Sequence, residues 1–124
     1  MNILLAAEYY HGIPRFVRFS VELAKRGHEV NVITSYPPNS MISYDVFSGI
    51  NIFEATPHLD IQSPLYTATF PPIQVARIIK RRDIQICHTI NTYATTSATV
   101  AFVSRGLNIP HIHEEPGIGT KTGY

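Results

Sequence analysis

Long apolar runs are what this sequence most plainly lacks. No stretch of its 124 residues approaches the roughly 18 consecutive apolar residues of a membrane-spanning helix. The N-terminus carries no basic segment, and its first apolar run breaks at Glu8, so no signal peptide is expected. One cysteine, Cys87, excludes an internal disulfide; its neighbours Ile84, Ile86 and Ile90 predict a buried strand residue rather than a reactive thiol. These features predict a cytoplasmic protein, the cytosolic face of a membrane included. Charge is also sparse, at 15% with a net value of +1, which gives no reason to expect nucleic acid or an anionic membrane as a global partner. Internal repeats and low-complexity segments are absent. So are the G-x-G-x-x-G dinucleotide fingerprint and the G-x-x-x-x-G-K-[ST] phosphate loop, and NAD is therefore not indicated.

What is present is a chain of ordinary single-domain length with 44% apolar residues, enough for a real core. Its organising stretch is Asn2 to Thr34. NILLAA (Asn2–Ala7) is a short apolar run suited to a strand buried on both faces. EYYHGIP (Glu8–Pro14) breaks it, and Pro14 fits the first helical position, where its missing N–H costs nothing. From Arg15 to Arg26, the residues Phe16, Phe19, Leu23 and Ala24 form one apolar stripe at helical spacing. On the other face Glu22 lies four residues from both Arg18 and Arg26. Gly27 ends the helix where a left-handed residue is wanted, and GHEVNVIT returns the chain to a second strand. This is a βαβ unit, which requires parallel strands and a right-handed crossover.

Ser35–Gly49 reads as a loop punctuated by Pro37, Pro38 and Gly49, and Ile50–Ala55 as a third strand. Thr56–Pro72 is long, rich in proline and aromatics, and of a length that in compact domains tends to serve function. A second helix is predicted over Pro72–Arg82, with Ile73, Val75, Ala76, Ile78 and Ile79 inward. Its basic end, Lys80–Arg82, complements the helix dipole, a structural reading preferred to a nucleic-acid site. Asp83–Asn91 supplies a fourth strand, and Thr92–Gly106 a third helix of small residues capped by Gly106. His111–Glu115 is the fifth strand. Alternating strands and helices predict a single α/β domain over residues 1–124. Its Rossmann-like open parallel sheet has the order 3-2-1-4-5 and helices on both faces.

In such a sheet, ligands bind beyond the carboxyl ends of the strands. The loop Glu8–Pro14 falls there. Gly12 either admits a phosphate-bearing ligand close to backbone or makes a tight turn, and Arg15 opens the helix beside it. His88 and Asn91 leave the neighbouring fourth strand and should share the crevice with Gly12. His88 suits a proton donor, a hydrogen-bond donor to a hydroxylated ligand, or a packed residue. His111, His113 and Glu115 alternate onto one strand face and could ligate a metal, but no further histidine or cysteine is placed to complete the set. GIGTKTG near the end, with Lys121, only loosely resembles a phosphate cradle and reads better as a flexible tail.

The segments MNILLAAEYY, GIPR and VELAKRGHEVNVIT together resemble the opening of the retaining glycosyltransferases of the GT-B fold, family 4. DIQICH is similar to that family's fourth strand ending in histidine, and SRGLNIPHIH to its helix-to-strand passage. The resemblance implies the N-terminal, acceptor-side domain of a hexosyltransferase-like enzyme. Such an enzyme moves a sugar from a nucleotide-sugar to a sugar or lipid acceptor. It would need no cofactor or metal, and peripheral membrane association would be compatible with it. The family's donor-phosphate loop falls on His11, Gly12 and Arg15, with His11 standing where the family has the first glycine of a pair. His88, Asn91 and Glu115 become candidates for acceptor or sugar contacts.

The family's histidine after the fifth strand corresponds to Pro116 here. Moving His113 into that role would need a three-residue shift, which reverses every side chain. No catalytic residue is therefore assigned. The second Rossmann-like domain, with its acidic E-x7-E motif, has no counterpart in the sequence and is expected in cis or in trans, so this chain alone is expected to be inactive. Two alternatives stand beside this reading: a non-catalytic sugar- or nucleotide-binding module of the same fold, and a small metal-dependent enzyme using His111, His113 and Glu115.

Overall fold

The structure is a computed structural model that describes residues 1–7, 14–34, 49–54, 71–90 and 95–114, without the side chains of Glu54, Thr95 and Thr96. Through them run β1 (Asn2–Ala6), α1 (Pro14–Lys25), β2 (Glu29–Thr34), β3 (Ile50–Glu54), α2 (Pro72–Arg81), β4 (Ile86–Ile90), α3 (Thr95–Gly106) and β5 (His111–Glu114). The strands form one five-stranded sheet in the order β3-β2-β1-β4-β5. Every neighbouring pair is parallel, as the alternation of elements predicts.

Residues alternate between the two faces of a strand, and here both faces are covered. Leu4 and Ala6 turn toward α2 and α3, where they pack with Ile33, Cys87, Val75, Ile78, Ile79 and Val100. Ile3, Leu5 and Ala7 turn toward α1 and meet Phe16, Val30, Val32 and Ile90. Leu4 and Leu5 are fully buried, each stabilising the fold by about 1.5–3 kcal/mol relative to an exposed side chain. Cys87 is buried as expected, and burial pushes its thiol up to about 12.

The helices follow the predicted faces with two corrections. In α1, Phe16 and Ser20 are buried, and the Ser20 hydroxyl is satisfied by donating to the Val17 carbonyl at 2.7 Å. In α2, Val75, Ile78 and Ile79 are buried, whereas Ile73, expected inward, is 71% exposed. Two positions along a helix turn the side chain by about 200°, so Ile73 and Val75 cannot share a face. The second correction concerns the end of α3. Gly106 is its last helical residue, and the left-handed position is Asn108, with φ 60°.

All three helix ends turn in the same way. Gly27 has φ 93° after α1, Asp83 φ 51° after α2, and Asn108 φ 60° after α3. In each, the next N–H reaches back five residues: His28 to the Leu23 carbonyl at 3.2 Å, Ile84 to Ile79 at 3.0 Å, and Ile109 to Ser104 at 2.8 Å. That bond closes carbonyls the helix leaves unpaired and aims the chain at its next strand. At the amino edge of the sheet, Asn2 locks α2 to β1. Its side-chain amide donates to the carbonyls of Arg82 at 3.1 Å and Asp83 at 3.2 Å. The opposite, carboxyl edge is where open parallel sheets of this kind bind ligands.

Candidate functional site

Toward the carboxyl edge, on the α1 side of the sheet, the first turn of α1 meets β4 and β5. The β4–β5 register sets His88 opposite Ile112 and Ile90 opposite Glu114. Because faces alternate, Glu114 falls on the same side of the sheet as His88. One carboxylate oxygen of Glu114 lies 3.1 Å from Nε2 of His88, and the other is ion-paired with the guanidinium of Arg15. Glu114 thus bridges the start of α1 to the middle of β4. Exposure grades outward along this chain, from 13% at the His88 side chain to 27% at Glu114 and 59% at Arg15.

Aromatic rings wall in the imidazole. Phe16 meets His88 edge-on with centroids 5.3 Å apart, and Phe19 does the same at 5.4 Å. Phe19, placed by the sequence on the apolar stripe, is 41% exposed and contributes its ring to this rim rather than to the centre of the core. Burial pushes the His88 imidazole below its ordinary value near 6.5. The Glu114 hydrogen bond and charge oppose that fall, while the charges of His113 and Arg15 add to it. At neutral pH His88 is therefore uncharged. A carboxylate only accepts, so the Nε2 facing Glu114 carries the proton and Nδ1 is left as the ring's acceptor.

On the opposite face, the buried hydroxyl of Thr89 lies 2.8 Å from Nε2 of His111 and 2.8 Å from Nδ1 of His113. One hydroxyl proton cannot serve two acceptors, so at least one of the two imidazoles donates to the Thr89 oxygen. Burial, with His113 and His88 nearby, holds His111 below the usual imidazole value. His111 and His113 thus share a face as their spacing predicts, but their partner is a hydroxyl. Among the described residues no group of three or more His, Cys, Asp or Glu side chains is placed to hold a metal ion. Among those residues, too, no helix is long and apolar enough to cross a membrane.

Of the residues singled out in the sequence, the structure brings Arg15 and His88 into one cluster. His11, Gly12, Asn91 and Glu115 lie outside the described residues. Glu114, which joins the first two, was not singled out. The signal available for it was parity: Glu114 alternates away from His111 and His113, onto the face that His88 occupies once the strands are in register.

No curated protein matches the chain by sequence. Solved structures share its fold. The glycosyltransferase VinC, in complex with dTDP, superposes with a TM-score of 0.65 at 14% identity, over 95% of this chain and 35% of its own. MurG of Acinetobacter baumannii gives 0.62 at 13% identity, over 98% of this chain and 38% of its own. CobK precorrin-6A reductase gives 0.54 at 12% identity, over 94% of this chain and 39% of its own, so the fold alone does not choose a reaction. This chain spans less than two fifths of the length of each of these proteins. The sequence itself is more decisive than the superpositions: the profile of Glycosyltransferase Family 4 matches residues 12–115, nearly the whole chain, and the chain belongs to that family.

Proposed function

We propose that this chain forms the acceptor-side half of a glycosyltransferase that moves a sugar from a nucleotide-sugar to a sugar or lipid acceptor. A second Rossmann-like domain, in cis or in trans, would hold most of the nucleotide. The observation that carries the reading is the Arg15–Glu114–His88 chain on the α1 side of the sheet, within a sequence that belongs to glycosyltransferase family 4. Cleaving a nucleotide-sugar leaves negative charge on the departing diphosphate, and preorganised positive groups lower that barrier. Arg15, mostly exposed, sits in the first turn of α1, which contains no acidic residue to oppose the helix dipole. It would face the diphosphate together with His11 and Gly12. Neutral His88, with Asn91 and Glu115, would contact acceptor or sugar hydroxyls. The α1 N-terminus, with Arg15 exchanging its Glu114 partner for the diphosphate, would supply the positive charge, and transfer should then survive a chelator.

The test is sugar transfer measured with this chain alone and with the chain joined to the coding region downstream of Tyr124. Transfer that appears only with a second domain supports the half-site reading. Full activity from residues 1–124 alone contradicts it. Pro116 in the family's histidine position favours a second reading, a binding module without turnover. Acceptor binding in calorimetry, with no transfer even when a second domain is supplied, would select that reading.

A further inference from the structure

We infer that the outer side of α2 and the adjoining edge of β3 form a second ligand site, for a molecule with a phosphate-type anionic head and an apolar body. The site is independent of the sugar-transfer reading. It lies on the α2 and α3 side of the sheet, whereas Arg15, Glu114 and His88 lie on the α1 side.

A cleft of about 420 Å³ opens between Phe53 of β3 and one face of α2, lined among others by Pro71, Ile73, Arg77, Arg81 and Arg82. That volume is within the range of small-molecule sites. Its walls divide chemically. Phe53, Pro71 and the exposed Ile73 offer apolar surface, and Arg77, Arg81 and Arg82 offer guanidinium groups able to grip phosphate oxygens in pairs. Arg82 is held over the Phe53 ring, 5.5 Å from its centroid, so the aromatic wall and one cation are already assembled.

The charge pattern is not explained by the stability of α2 itself. Dipole complementarity accounts for Lys80 and Arg81 in the last turn of α2, but Arg77 stands a full turn earlier. Arg77 and Arg81 are four residues apart, where like charges destabilise a helix, and the helix contains no Asp or Glu. Ile73 continues the same row one turn before Arg77. An amphiphilic anion relieves all of these at once: its head neutralises the arginines and its body covers Ile73 and Phe53. A purely inorganic anion would leave the apolar wall in water, and a neutral lipid would leave the arginines unmatched.

Calorimetry on the intact chain tests this with octyl phosphate below its micelle concentration, inorganic phosphate and octanol. Octyl phosphate should bind at least about tenfold more tightly than either of the others, and Arg77→Gln with Arg81→Gln should weaken it by about tenfold or more. Ile73→Ser, at an exposed position, should weaken octyl phosphate while leaving inorganic phosphate unchanged. Co-sedimentation with phosphatidylglycerol vesicles identifies the source. Sedimentation that the arginine variant abolishes indicates a bilayer headgroup, and octyl phosphate binding without sedimentation indicates a free molecule. Equal affinity for octyl phosphate and inorganic phosphate, or binding that the arginine variant does not change, overturns the inference. Circular dichroism of each variant separates loss of the site from loss of the fold.

Discussion

Nε2 of His88 lies 3.1 Å from a carboxylate oxygen of Glu114, and this one hydrogen bond ties the fourth strand of the sheet to the fifth at the candidate site. The two halves of that carboxylate do different things, and substitution separates them. Glu114→Gln keeps an acceptor for His88 but gives up the charge paired with the exposed Arg15, an interaction worth about 0.2–1 kcal/mol. Glu114→Ala also leaves the mostly buried imidazole N–H without its partner, which costs about 1–3 kcal/mol. Chemical denaturation should therefore rank alanine as clearly the more destabilising. Equal losses would show that the hydrogen bond contributes nothing.

The two perturbed imidazoles set a pH dependence. His88 and His111 are both held below the ordinary value near 6.5, so on acidification the unfolded chain takes up their protons first. The stability they contribute is complete above about 6.5 and falls as pH drops below it. In NMR titration the His88 and His111 ring protons should shift with midpoints below 6.5. Urea midpoints should be lower at pH 5.5 than at pH 7.5. A midpoint for His88 above 6.5 would mean that Glu114 outweighs burial.

Helix ends offer a stability test that is independent of the site. Gly27 has φ 93°, a conformation that costs an L side chain about 1–2 kcal/mol, so Gly27→Ala should lower the unfolding temperature. Gly106 has helical backbone, and a Cβ added there meets no atom within 4 Å. Gly106→Ala should raise the temperature, by up to about 1 kcal/mol in stability. If both alanines destabilised equally, the assignment of Asn108 as the left-handed residue would be wrong.

Burial of the thiol predicts its reactivity. With Cys87 pushed up to about 12, a disulfide reagent at pH 8 should leave the folded chain unmodified and react fully in denaturant. Rapid labelling of the folded chain would contradict the packing of β4.

Strand order and helix positions were legible because a sheet covered on both faces demands short, nearly continuous apolar runs, and NILLA, VNVI and ICHTI are such runs. Gly27 was legible as a cap because glycine has no rival for a left-handed position. Asn108 was not: asparagine is the less common choice, and Gly106, two residues earlier, masks it. Ile73 misled because a cluster of isoleucines and valines was credited wholly to the core, although its rotation about the helix sets it opposite Val75. Glu114 was hidden for a different reason. Its partnership with His88 depends on a β4–β5 register joining positions 26 apart in sequence, which no local pattern states.

Arg15 is proposed to face the diphosphate end of a sugar donor, with Glu114 and His88 directly behind it toward the sugar or acceptor. This placement is tested most directly by titrating the isotopically labelled chain with a nucleoside diphosphate and following its amide and ring signals by NMR. Binding there should shift the signals of Arg15, Phe16, His88 and Glu114, with an affinity about tenfold weaker in Arg15→Gln. Signals at these residues that stay unmoved at saturating ligand, or an affinity that Arg15→Gln leaves unchanged, would contradict it.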